Sequence, residues 1–298
     1  MKSYGICPAS CGEFVQGFVN KEEYLSSYAI DLYSTAVVEE KLEDIILGPR
    51  KSRKAIEMVF ENFNIPIQES KNISLNINSQ IPTGKGMASS TADIGATIKA
   101  TLSLIEKEMT SEEISKLAAG IEATDSIFIE DVNIFNPLSG EVMKYLGNLQ
   151  NAKVLILEPN RTLNTKRIRS KSNYMETKLK NQNLIKEAFY LLEDGIRKND
   201  LNLVGKACTI SSLANENIHK KVGLNEIIEI SKNYGAYGVN VAHSGTVIGI
   251  LLDQTMDEIR LIENENLHKY YKKIYASDII DGGIRGGKQW NTLKILWW

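Results

Sequence analysis

Two periods of apolar residues run along this chain, and they mark most of its elements. YGIC (4–7), EFVQGF (13–18) and YAIDLYSTAVVEE (28–40) are rich in β-branched and aromatic residues broken by glycine, which predicts hairpin strands. KSRKAIEMVFENF (51–63) gathers Ile56, Val59, Phe60 and Phe63 on one helical face. NISLNINSQI (72–81) instead alternates Ile73, Leu75 and Ile77 with polar neighbours, the pattern of a half-buried strand, and Pro82 ends it. From Ser89 to Lys107 small and apolar residues return at helical spacing. Thr110-Ser111-Glu112-Glu113 is a capping-box signature for a helix that stops near Gly120. The polar turn EATDS (122–126) leads into IFIEDVNIF (127–135), read as a strand.

The second half opens with a buried strand, KVLILEP (153–159). Helical patterns follow at 183–196, 201–215 and 224–235. GVNVAH (238–243) and TVIGILLD (246–253) read as strands joined at Ser244-Gly245, MDEIRLIENENL (256–267) as a helix, and YKKIYAS (271–277) as a last strand. The order β, helices, β, β, α, β is the split βαβ arrangement of ferredoxin-like domains. The tail GGIRGGKQWNTLKILWW leaves open a flexible end or tryptophans docked on the body.

Composition narrows the class. The chain has 298 residues, 43% hydrophobic and 24% charged, enough for two ordinary globular domains. A formal charge of −2 gives no electrostatic reason to expect nucleic acid or an anionic membrane as partner. Cys7, Cys11 and Cys208 make no disulfide framework, and with only three histidines the CxxxC spacing of the first two is no zinc signature. MKSYGICPAS lacks an apolar signal core, and the longest apolar runs cannot span a bilayer. The expectation is a cytoplasmic protein, monomer or homodimer, with His219 and His268 at its surface.

IPTGKGMASSTADIGAT (81–97) carries the chemistry. It runs strand, glycines, hydroxyls, helix, and the first turn of a helix offers unpaired N–H groups and partial positive charge to an anion. Gly84 and Gly86 let the backbone approach a ligand without a Cβ in the way. Ser89, Ser90 and Thr91 offer hydroxyls to phosphate or magnesium, and Lys85 a point charge. Neither GxxxxGK[ST] nor GxGxxG is present, so the residues alone leave two readings: an anion cradle, or a plain turn with Ser89 as helix cap.

Pro82-Thr83-Gly84-Lys85-Gly86-Met87-Ala88-Ser89-Ser90-Thr91-Ala92 resembles the PxxxGLGSSAA phosphate loop of the GHMP kinases. Pro8-Ala9-Ser10-Cys11-Gly12-Glu13 resembles their first motif, ending in GE, and Gly235-Ala236-Tyr237-Gly238 with His243-Ser244-Gly245-Thr246 their third. CPASCGEFVQG, IDLYS, GKGMASSTADIGAT, EATDS and GVNVAHSGTVIGIL together are similar to the L-threonine kinase branch, so the resemblance spans essentially the whole chain. It implies an α+β protein of the two-domain GHMP kinase fold. A ribosomal-protein-S5-like α/β domain would cover residues 1–150, and a ferredoxin-like split βαβ domain residues 151–298. The implied activity is transfer of the ATP γ-phosphate to the hydroxyl of L-threonine, for cobalamin side-chain synthesis. The rivals are the same fold acting on a homoserine-like alcohol, and a catalytically silent nucleotide- or metabolite-binding relative.

The resemblance also implies a site. Pro82, Gly84, Lys85, Gly86, Met87, Ala88, Ser89, Ser90 and Thr91 would line ATP, and Ser90 with Glu122 would hold Mg²⁺. Asp125 would take the hydroxyl proton, with Glu130 and Asp131 in reserve; the residues alone also suit Asp125 to a helix cap or turn. Glu13, Asp31, Tyr33, His243, Ser244 and Gly245 would face the substrate. Two departures stand out. Met87-Ala88 replaces Leu-Gly, removing one backbone freedom, and Ser10 stands where many relatives carry Lys or Arg, which leaves Lys85 as the candidate catalytic cation.

Overall fold

The computed structural model describes residues 1–41, 48–160 and 174–288. The first two strands are long and paired, β1 (Lys2–Val19) and β2 (Glu22–Glu40). They turn at Asn20 and Lys21, both at positive φ, so the three predicted hairpin segments merge into two strands. Register shifts at Pro8/Ala9, Ser10/Glu13 and Glu13/Val15 bend β1 midway, where Gly12 has φ +68°.

Helix α1 (Arg50–Asn62), strand β3 (Ile73–Ser79) and helix α2 (Ser89–Leu104) follow as the patterns predict. So does α3 (Ser111–Ala119), where Thr110 and Glu113 form the capping box. Two readings need correction. The strand predicted over 127–135 is confined to β4 (Val132–Asn136). Its first residues form a turn that plugs the core: Phe128 is fully buried against Gly95 of α2, where an added Cβ would lie 2.4 Å from the ring. The helix predicted over 256–267 breaks into α8 (Ile259–Ile262) and α9 (Glu265–His268), because the Asn264 side chain accepts from Asn266 N and Leu267 N and caps a new start. Strand β5 (Glu141–Gly147), with its exposed Met143 and Tyr145, carried no clear pattern.

The second half contributes β6 (Ala152–Glu158), α4 (Tyr174–Lys180), α5 (Gln182–Lys198), α6 (Leu201–Asn215), α7 (Leu224–Asn233), β7 (Gly238–Val241), β8 (Ile248–Asp253) and β9 (Lys273–Ile280). These strands lie in the order β7-β8-β6-β9, all antiparallel, as the split βαβ reading requires. The tail begins as β10 (Arg285–Lys288), an edge strand on β1; its tryptophans lie outside the described residues. β1 touches β7 at Glu13–Val241 and β2 touches β9 at Ala29–Ile280, so the two halves share one sheet among the described residues. A large apolar core surrounds α2, and a second lies between α7 and the β6–β8 strands.

Candidate active site

Three distant stretches of sequence meet at the glycine loop. Met87 O and Gly86 O accept from Ser10 N and Gly12 N on the bent stretch of β1, each at 3.2 Å. Lys85 O accepts from Thr246 N at 2.7 Å and Val247 N at 3.1 Å. The approach is close enough to require glycine. A Cβ on Gly86, which has φ +86°, would lie 2.4 Å from Ala242 Cβ, and one on Gly245 would lie 2.3 Å from both Gly86 Cα and Lys85 O. The loop then enters α2 through Ala88 at φ +58°, a left-handed conformation that favours glycine. Ala88 occupies the cap position without a side-chain cap bond, which leaves the hydroxyls of Ser89 and Ser90 on the first helical residues.

Ser90 and Glu122, 32 residues apart, are brought together: the Ser90 hydroxyl donates to the Glu122 carboxylate. Sequence reasoning missed the third member. Lys51, in the first turn of α1, donates to Ser90 Oγ at 3.0 Å and to the other oxygen of Glu122. A signal was available, because α1 begins Arg50-Lys51 with no acidic residue in its first turn, against the preference of the helix dipole. A hydroxyl and a carboxylate that together embrace an ammonium form an all-oxygen donor set, which suits magnesium. No group of three or more metal-ligating side chains occurs among the described residues.

The other expected residues fall into different surroundings. Asp125 lies across from β2, its Oδ1 accepting from Ser27 Oγ at 3.2 Å. Asp31 is exposed beside Tyr33, and the Arg285 guanidinium of β10 lies 5.6 Å from the Tyr33 ring centroid. Burial, followed by the neighbouring Asp31, raises the Tyr33 phenol above its ordinary value. The arginine, carried by the glycine-rich tail, was not anticipated.

Several side chains point elsewhere than expected. Lys85 is buried; its ammonium donates to the Pro159 carbonyl and lies 3.7 Å from Glu158, so it ties the loop to the end of β6. Thr91 is also buried, its hydroxyl accepting from Thr124 Oγ1 at 3.4 Å, which leaves its backbone as the part near the loop. Glu13 and His243 are buried against one another. Glu13 Oε2 accepts from His243 N at 3.0 Å and lies 3.1 Å from Nδ1, while Nε2 is 3.1 Å from Ser211 Oγ. Desolvation holds the imidazole well below its ordinary pKa, hence neutral, and pushes Glu13 up to about 7. This pair braces the first motif against the third from inside the protein. His219, expected at the surface, is buried, and its Nε2 meets Gly245 O at 3.0 Å; Lys221 Nζ donates to the same oxygen at 3.0 Å. His268 is exposed as expected.

Residues 50–129, which include the loop, Ser90, Glu122 and Asp125, match the model of the GHMP kinases N terminal domain. The chain is 30% identical over 284 residues to an L-threonine kinase of Salmonella typhimurium, covering 94% of each protein. The chain belongs to the GHMP kinases. An L-threonine kinase of Citrobacter freundii is 28% identical, over 93% of this chain and 97% of that one. Among solved structures, a homoserine kinase from Cytophaga hutchinsonii superposes with a TM-score of 0.70 at 16% identity, over 96% of this GHMP kinase and 97% of that chain. The α+β fold expected from the motifs is therefore the fold of the family. No helix among the described residues is long and apolar enough to cross a membrane.

Proposed function

We propose that this GHMP kinase transfers the γ-phosphate of ATP to the side-chain hydroxyl of L-threonine. The observation that carries the reading is the Ser90–Glu122 pair at the glycine loop, in a chain alike over nearly its whole length to L-threonine kinases. Phosphoryl transfer asks for positioning and charge neutralisation more than covalent chemistry. Backbone groups from Pro82 to Ser89, including the unpaired N–H groups at the start of α2, hold the phosphates. Ser90 and Glu122 would hold Mg²⁺, which would supply neutralisation of phosphate charge. Asp125, oriented by Ser27, takes the proton of the acceptor hydroxyl. Asp31, with Tyr33 beside it, supplies a carboxylate for the ammonium of an amino-acid acceptor, while Ser244 and Gly245 close the far side of the loop. The acceptor lies between an N-terminal unit (1–150) and a C-terminal one (151–298), in a cytoplasmic enzyme serving cobalamin side-chain synthesis.

A homoserine-like acceptor is the second reading, favoured by the fold match to a homoserine kinase. ADP release from Mg-ATP with threonine, serine, homoserine and mevalonate separates the two. Threonine is expected to give the highest kcat/KM. Preference for homoserine would replace the first reading with the second, and tight ATP binding with no turnover of any acceptor would indicate a silent relative.

A further inference from the structure

Lys51 is engaged by the two oxygens assigned to the metal, and both cannot serve an ammonium and Mg²⁺ at once. Two positive charges a few ångströms apart repel strongly at a partly desolvated site. Its side chain is 44% exposed and hangs from the first turn of α1 on a flexible four-carbon stem, so its ammonium can be redirected without unpacking the core. Arg50 precedes it, and the N-terminal end of the helix adds partial positive charge, so the place where Lys51 is anchored favours an incoming polyanion. The other lysine at the loop, Lys85, is buried and committed to Glu158 and the Pro159 carbonyl, and position 10 is a buried serine.

We infer that Lys51 is the mobile cation of the phosphate site. In this structure it bridges Ser90 and Glu122, on the oxygens that would hold the metal. When the metal nucleotide arrives, Lys51 yields those oxygens and moves onto phosphate oxygens, where it supplies the charge that Ser10 does not. The inference rests on the kinase reading for its catalytic arm, whereas its binding arm is independent of the acceptor.

The two roles give opposite signs in one variant. In Lys51→Met, Mn²⁺ titrated into nucleotide-free protein and read by calorimetry should bind several-fold more tightly, because the competing ammonium is gone. The same variant should bind Mn²⁺ with a non-hydrolysable ATP analogue about tenfold more weakly. Its kcat for threonine should fall about 100-fold, the scale for one removed charge-stabilising contact, with the KM for threonine little changed. Lys51→Arg should restore most of kcat. Unchanged metal and analogue affinities in Lys51→Met, or a kcat within twofold of the parent, would overturn the inference. If the parent chain binds the analogue but turns over no acceptor, the kinase reading fails, while the two binding signs still decide the role of Lys51.

Discussion

Replacing Gly245 by alanine tests whether the three motifs converge as described. The new Cβ would sit 2.3 Å from Gly86 Cα and 2.3 Å from Lys85 O, both backbone atoms that cannot rotate away. Ordinary contact requires about 3.4 Å or more, so the two segments must part by about 1 Å. That strains or breaks the bonds from Thr246 N at 2.7 Å and Val247 N at 3.1 Å to Lys85 O. Two net hydrogen bonds contribute about 1–3 kcal/mol and overpacking costs about 1–3 kcal/mol more, so Gly245→Ala should destabilise by roughly 2–6 kcal/mol. The melting temperature should fall by roughly 3–10 °C in differential scanning fluorimetry. ATP-analogue affinity should fall with it, since the displaced backbone is the phosphate cradle. Gly287→Ala is the matched control: its Cβ would meet only the Tyr4 ring and hydroxyl, at 3.7 Å and beyond. A Gly245→Ala protein with the melting point and analogue affinity of the parent would refute the convergence of the loop with the third motif.

Ala88→Gly relieves a left-handed alanine, worth about 1–2 kcal/mol, against an unfolded-state entropy cost of about 0.4–1 kcal/mol. The melting point should hold or rise slightly, and a clear drop would contradict the cap geometry. Glu13 and His243 carry opposite pH dependences. The Glu13 value is raised in the fold, so its stabilisation is present below about pH 4.5 and lost as pH rises through about 7; His243 is lowered, so its stabilisation is present above about pH 6.5 and lost as pH falls. Relative to the parent, His243→Asn should therefore melt lower as pH goes from 5 to 7.5, and Glu13→Gln lower as pH goes from 7 to 5; parallel profiles for the two variants would dismiss the pair. Asp125→Asn should lower kcat by about 10²–10⁴-fold with little change in Mg-ATP affinity, and a retained kcat would remove the base from the mechanism.

Much of this molecule was legible in its sequence because local rules and tertiary packing agree. The capping box at Thr110 and the alternation of β3 need no distant partner to be read, and the βαβ order of the second half follows from element type alone. The Ser90–Glu122 pairing came from resemblance, since nothing in their spacing places them together. Several failures arose where a single long-range contact decides the outcome. Phe128 is drawn into a turn by the space left at Gly95, although its run of apolar residues reads as a strand. Lys85 looks like a ligand for phosphate by position, but Glu158 on another strand claims it. Lys51 reaches Ser90 across a gap of 39 residues and Arg285 reaches Tyr33 across the intervening strand β1, which no local pattern encodes.

The central claim is that a γ-phosphate lands on the threonine hydroxyl. ³¹P NMR of the purified chain with Mg-ATP and L-threonine observes that bond directly. The account predicts a new phosphomonoester resonance that co-migrates with authentic O-phospho-L-threonine and grows with the ADP signals, and that is absent in Glu122→Gln. ADP accumulating with inorganic phosphate alone, or a phosphomonoester formed with homoserine but not with threonine, would contradict it.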